Sequence, residues 1–97
     1  MLKKNYTKTR RTCRVTFKVT DVEAQDVVLL GDFNAWDQQS HPMKHRKDGS
    51  FSTTISLDTG KAYRFRYLAD GGQWLNDDES DRQVFNKFGS VDSVIQV

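Results

Sequence analysis

Several stretches of this chain alternate apolar and polar side chains with a period of two. In residues 12–20, Cys13, Val15, Phe17 and Val19 point one way and Arg14, Thr16 and Lys18 the other. Residues 51–57 repeat the rhythm with Phe51, Thr53, Ile55 and Leu57. Ala62–Ala69 does so with Tyr63, Phe65, Tyr67 and Ala69 opposite Arg64, Arg66 and Leu68. Residues 91–97 set Val91, Ser93, Ile95 and Val97 on one face, with Val94 on the other. A period of two with β-branched and aromatic residues specifies half-buried strands, and no segment carries the 3.6-residue period of a helix.

The intervals are punctuated by turns. Val27-Val28-Leu29-Leu30, ended by Gly31, reads as a short buried strand, and residues 43–46 as a short edge strand. Lys47-Asp48-Gly49-Ser50 and Asp58-Thr59-Gly60-Lys61 are turn signals. Asp70-Gly71-Gly72 predicts a tight hairpin returning through Gln73-Trp74-Leu75. Residues 32–41 and 76–90 read as polar loops. About seven short strands with regular turns predict one all-β sandwich, with residues 1–10 as a loose basic arm and 11–97 as the domain. Hydrophobic residues are only 36% of the chain. Such a supply suits two sheets with one thin, aromatic-filled layer between them. Cys13 shares a face with Val15 and Phe17 and reads as a small buried hydrophobe.

Charge is unevenly placed. The first 20 residues hold Lys3, Lys4, Lys8, Arg10, Arg11, Arg14 and Lys18 and no acid, while the whole chain carries +2. The basic arm thus precedes an acidic body that it can complement. With one aromatic residue and no apolar helical face, it does not read as a nucleic-acid or membrane site. No apolar run approaches the ~20 residues of a membrane span and no signal-like segment opens the chain, so the expected location is the cytoplasm. The single cysteine agrees with that expectation.

The inventory for catalysis is empty. His41 and His45 are four apart but separated by loop and Pro42, and one cysteine gives no zinc spacing. Asp77, Asp78, Glu79 and Asp81 lack the ligand alternation and central glycine of a calcium loop, so they read as a solvated acidic loop. No enzyme, metal or cofactor is expected. Trp36 lies in a loop and Trp74 just after a tight turn, both near strand ends. Such tryptophans either plug the sandwich edge or offer a flat platform for the C–H face of a pyranose, with polar neighbours to meet its hydroxyls.

The segment Val28-Leu29-Leu30-Gly31-Asp32-Phe33-Asn34-Ala35-Trp36 resembles the signature of the family 48 carbohydrate-binding modules. These are the early-set domains found in isoamylases, glycogen-branching enzymes and the β-subunit of AMP-activated protein kinase. Residues 63–74 look like the family's hairpin, with one extra glycine, and residues 88–97 its closing segment, so the likeness runs from about Val15 to Val97. It implies an immunoglobulin-like sandwich that binds α-1,4-glucan without catalysis. Trp36 and Trp74 fall where the kinase-type modules stack sugar. Arg66 stands at a lysine position, Phe88 at a leucine and Ser90 at a threonine. Asp92 replaces an asparagine and can accept but not donate a hydrogen bond.

The expected function is a free-standing α-glucan-binding module, a monomer or weak dimer. Trp36 and Trp74 form its platform, Arg66, Ser90 and Asp92 its polar contacts, and Phe88 its apolar edge. The alternative is a module that docks onto a glycogen-metabolising enzyme in trans, its exposed aromatics forming the docking patch.

Overall fold

A computed structural model describes residues 2–97. They form nine strands, β1 (Leu2–Tyr6), β2 (Thr12–Val19), β3 (Val27–Gly31), β4 (Lys44–His45), β5 (Phe51–Asp58), β6 (Ala62–Ala69), β7 (Gln73–Leu75), β8 (Arg82–Phe85) and β9 (Val91–Gln96). One sheet runs β1-β2-β5-β4 and the other β3-β6-β9-β8, with β7 also on β6. Every described pairing is antiparallel.

The alternating segments set the register. Between β2 and β5, Cys13 faces Leu57, Val15 faces Ile55 and Val19 faces Phe51, so one face of each strand is apolar. The matching face of the second sheet supplies Leu29, Phe65, Tyr67 and Ile95. The thin core is filled by rings in edge contact. Phe17 lies 5.1 Å from Phe65, and Phe65 lies 5.7 Å from Tyr67. Cys13 is fully buried among them. The β6–β7 hairpin turns through Asp70 and Gly71, with φ of 50° and 71°. Positive φ at both central residues matches the right-handed twist of the flanking strands, which is why the turn uses Asp and Gly.

Three expectations change. Residues 2–6 are extended but not loose, because β1 pairs with β2 along its whole length. Lys4 also crosses to the other sheet, where its ammonium lies 2.8 Å from Asp81 and donates to the Gln96 carbonyl at 2.9 Å. The 76–90 loop contains β8, paired to β9. The acidic segment is not uniformly solvated: Asp77 is 5% exposed and accepts the Tyr67 hydroxyl at 2.6 Å. Burial and that neighbouring carboxylate push the Tyr67 phenol far above its ordinary range. Residues 41–43 lie against β3, with Leu29 N–H donating to the His41 carbonyl and Met43 N–H to the Val27 carbonyl, before the chain crosses to β4.

Among the described residues, no helix is long and apolar enough to cross a membrane.

Candidate functional site

The site grows from the outward face of β6. The same alternation that sends Phe65 and Tyr67 inward sends Arg64, Arg66 and Leu68 outward. The register sets Leu30 beside Arg66 on one side, and Trp74 of β7 opposite Leu68. On the β9 side Phe65 pairs with Ser93, so the next step sets Arg66 beside Asp92. Leu30, Leu68 and Val94 are each at most 2% exposed, yet stand outside the inter-sheet core. They form an apolar floor beneath the polar and aromatic side chains of this outer face.

Arg66 joins the two tryptophans. Its guanidinium carbon lies 4.7 Å from the centre of the Trp74 ring and 5.9 Å from that of Trp36. Both distances are within reach of a cation–π contact, so the indoles share one face of one sheet. Trp74 is 44% exposed and Trp36 is half-buried.

Behind Arg66 stands Asp92, whose side chain is only 5% exposed. Its Oδ1 lies 3.0 Å from Arg66 Nε, and its Oδ2 lies 3.9 Å from the Arg64 guanidinium. The Arg66 N–H is not aligned as a hydrogen bond despite the short distance, so this attraction is Coulombic. The hydrogen bond to Oδ1 comes instead from Asn86 Nδ2, at 3.3 Å. Sequence alone suggested a direct ligand contact for Asp92. The fold commits its carboxylate to two arginines and an asparagine, leaving almost none of it at the surface.

Trp36 is held by the loop before it. The ladder of β3 ends at Gly31, where a Cβ would stand 2.5 Å from the Arg64 carbonyl oxygen, so only glycine fits. The next backbone donor on β6, Arg64 N–H, lacks a β3 partner and donates to Asp32 Oδ2 at 3.0 Å. The other oxygen of Asp32 accepts Trp36 Nε1–H at 3.1 Å. One carboxylate therefore finishes the ladder and fixes the indole. Asn34 braces the same loop, accepting Gly31 N–H at 3.0 Å and donating to the Leu29 carbonyl at 3.1 Å. Ala35 and Trp36 both adopt left-handed backbone, with φ of 55° and 58°. That conformation costs non-glycine residues about 1 kcal/mol each and persists only where surrounding contacts enforce it. Beyond Trp36, Asp37 accepts Gln39 N–H and the Ser40 hydroxyl, and these bonds hold its carboxyl below the usual range.

An open cleft of about 510 Å³ runs from Trp36 along this face. Arg64, Arg66, Asp92, Asn86 and Phe88 help line it. Of the residues singled out from sequence, Trp36, Arg66, Phe88 and Asp92 thus meet in one cleft, and Trp74 adjoins through Arg66. Ser90 sits on the same turn as Phe88 but outside the cleft lining. Sequence reasoning missed Asp32, Asn86 and Phe85. Asn86 had a legible signal: Asn at the first and Gly89 at the fourth position of a turn. Asp32 had none, since its partners are set by where β3 stops. Among the described residues, no group of three His, Cys, Asp or Glu side chains is placed to hold a metal ion.

Residues 5–81 match the family model for carbohydrate-binding module 48, the isoamylase N-terminal domain. That span contains Trp36, Arg66 and Trp74 and stops before Phe85, Phe88 and Asp92. The chain is also similar to 1,4-alpha-glucan branching enzymes. It is 37% identical to one from Xanthomonas campestris pv. campestris over 71 residues, covering 71% of this chain and 10% of that protein. It is 38% identical to one from Butyrivibrio fibrisolvens over 61 residues, covering 61% and 10%. It is 40% identical to one from Synechococcus elongatus over 52 residues, covering 53% and 7%. The chain spans a tenth or less of the length of these relatives.

Proposed function

Because the chain belongs to the carbohydrate-binding module 48 family, we propose that the outer face of its second sheet binds an α-1,4-glucan without catalysis. The observation that carries this is the single guanidinium lying against both indoles on one face. A glucose unit offers an apolar face of axial C–H groups and a rim of hydroxyls. The indoles of Trp36 and Trp74 meet the first, and Arg66 and Arg64 donate to the second. Asp92 acts behind them: it keeps the cations on this face and presets the guanidinium of Arg66, so less freedom is lost when a sugar arrives.

The similarity to α-glucan branching enzymes supports the choice of glucan. The open shape supports weak binding, because a shallow cleft removes little sugar surface from water. The binding is proposed for this domain itself, since every residue invoked lies within it.

Titrating the chain with maltoheptaose while following tryptophan fluorescence tests glucan binding. Saturable quenching is expected, and Trp74→Ala should shift its midpoint to higher maltoheptaose. A flat titration at millimolar maltoheptaose refutes the glucan assignment. A partner protein captured on the same face, with Trp74→Ala blocking that capture, would replace glucan binding with docking.

A further inference from the structure

The apolar surface of this face does not end at the tryptophans. Phe85, the last residue of β8, is 80% exposed, and Phe88, three residues later, is 82% exposed. A single exposed aromatic is unremarkable on a protein surface. Here both belong to one short segment, and both line the cleft that holds Trp36 and Arg66.

The segment between them is built to hold its shape. Asn86 Oδ1 accepts Phe88 N–H at 2.9 Å and Ser90 N–H at 3.1 Å. Asn86 N–H donates to the Ser90 carbonyl at 2.8 Å, and Gly89 N–H returns to the Asn86 carbonyl at 3.2 Å with φ of 78°. Asn86 Nδ2 then ties the turn to Asp92, the carboxylate beside Arg66. A mobile loop could fold its phenylalanines away from water. This turn presents them at a fixed place relative to Arg66. Lys87 lies over the Phe88 ring at 5.3 Å, adding a donor beside an apolar surface.

We infer that Phe85, presented by the Asn86 turn, adds an aromatic surface beside Phe88 that receives further units of a glucan already seated on the tryptophans, so that this end of the cleft selects for chain length. The inference rests on the glucan-binding function proposed above, with the occupant fixed by continuity: one cleft is lined by Trp36, Arg66, Phe85 and Phe88 together. Phe85 carries the added element, since Phe88 stands at the position where the resembled modules carry a leucine and Phe85 does not.

The experiment compares maltotriose with maltoheptaose, by calorimetric titration of the full chain and of its Phe85→Ala and Trp74→Ala variants. Phe85 is almost fully exposed, so its truncation removes no core contact. One aromatic contact of this kind accounts for roughly a three- to tenfold change in affinity. The ratio of maltoheptaose to maltotriose affinity should therefore fall by about that factor in Phe85→Ala. Trp74→Ala should weaken both sugars together. An unchanged ratio in Phe85→Ala, with wild-type binding intact and Trp74→Ala defective, overturns the added surface and leaves glucan binding standing. No heat from wild type with either sugar overturns both.

Discussion

Replacing Asp92 by Asn removes one charge and almost no volume, and its consequences follow from the geometry behind Arg66. Asp92 Oδ1 and Arg66 Nε are 3.0 Å apart, with the carboxylate side chain 5% and the arginine side chain 19% exposed. At an effective dielectric constant of about 20, that separation corresponds to a gross attraction of about 5 kcal/mol. Desolvating the carboxylate offsets much of it, and partial exposure of Arg66 screens the rest, leaving about 2 kcal/mol net. Asn can still accept from Asn86, so the loss isolates the charge. A deficit of about 2 kcal/mol should lower Tm by roughly 8–16 °C in a domain of this size. Urea unfolding followed by tryptophan fluorescence reads the stability, since both indoles lie beside Arg66. In an Arg66→Met background, the same Asp92→Asn change should cost far less, because the buried carboxylate then has lost its nearest cation. Maltoheptaose affinity should fall in Asp92→Asn although the side chain is nearly inaccessible. Asp92→Asn matching wild type in urea midpoint, with full additivity against Arg66→Met, refutes the preset guanidinium.

Further outcomes follow from two other carboxylates, Asp32 and Asp81. Asp32→Ala should shift the Trp36 indole N–H resonance and weaken maltoheptaose binding about three- to tenfold, about 1 kcal/mol, because the indole loses its anchor while its ring remains. Asp32→Asn should restore only part of this, because its amide nitrogen would face Arg64 N–H; full recovery would show that one acceptor oxygen suffices. Burial raises the Asp81 pKa, but Gln96 N–H and the Lys4 ammonium outweigh it and hold the carboxyl below its ordinary value. Asp81 therefore stabilises the fold above its unfolded pKa of about 4, and that contribution disappears as pH falls through the lower folded value. Lys4→Met should shrink the difference in urea midpoint between pH 7 and pH 3, and an unchanged difference would remove Lys4 from the acid response.

The strands that were legible in the sequence are those that aim apolar side chains into the core. β2, β5 and β6 alternate because one side of each meets the core, and that alternation also places Arg64 and Arg66 on the outward face, whereas β9 is buried on both faces. β1 and β8 escaped because neither has a buried residue. An edge strand held by backbone hydrogen bonds needs no apolar rhythm. Asp77 looked like one more solvated acid because its partner, Tyr67, is brought to it by the return of the chain beside β6. The aromatic pair and Arg66 were legible as residue types. Their meeting depends on Trp36 sitting in a left-handed turn and Trp74 on a hairpin strand, and local sequence pattern does not give the distance between them. Asp92 was legible as a departure from the family's asparagine, but its burial depended on the register of β9 against β6.

Two-dimensional NMR of the uniformly nitrogen-15-labelled chain, titrated with maltoheptaose, reads both indole N–H groups and the Arg66 Nε–H in one experiment. Saturable movement of all three with a common Kd is the expected result. Indole and Arg66 resonances that stay fixed at millimolar sugar, or that titrate independently of one another, would contradict a single glucan site built around that guanidinium.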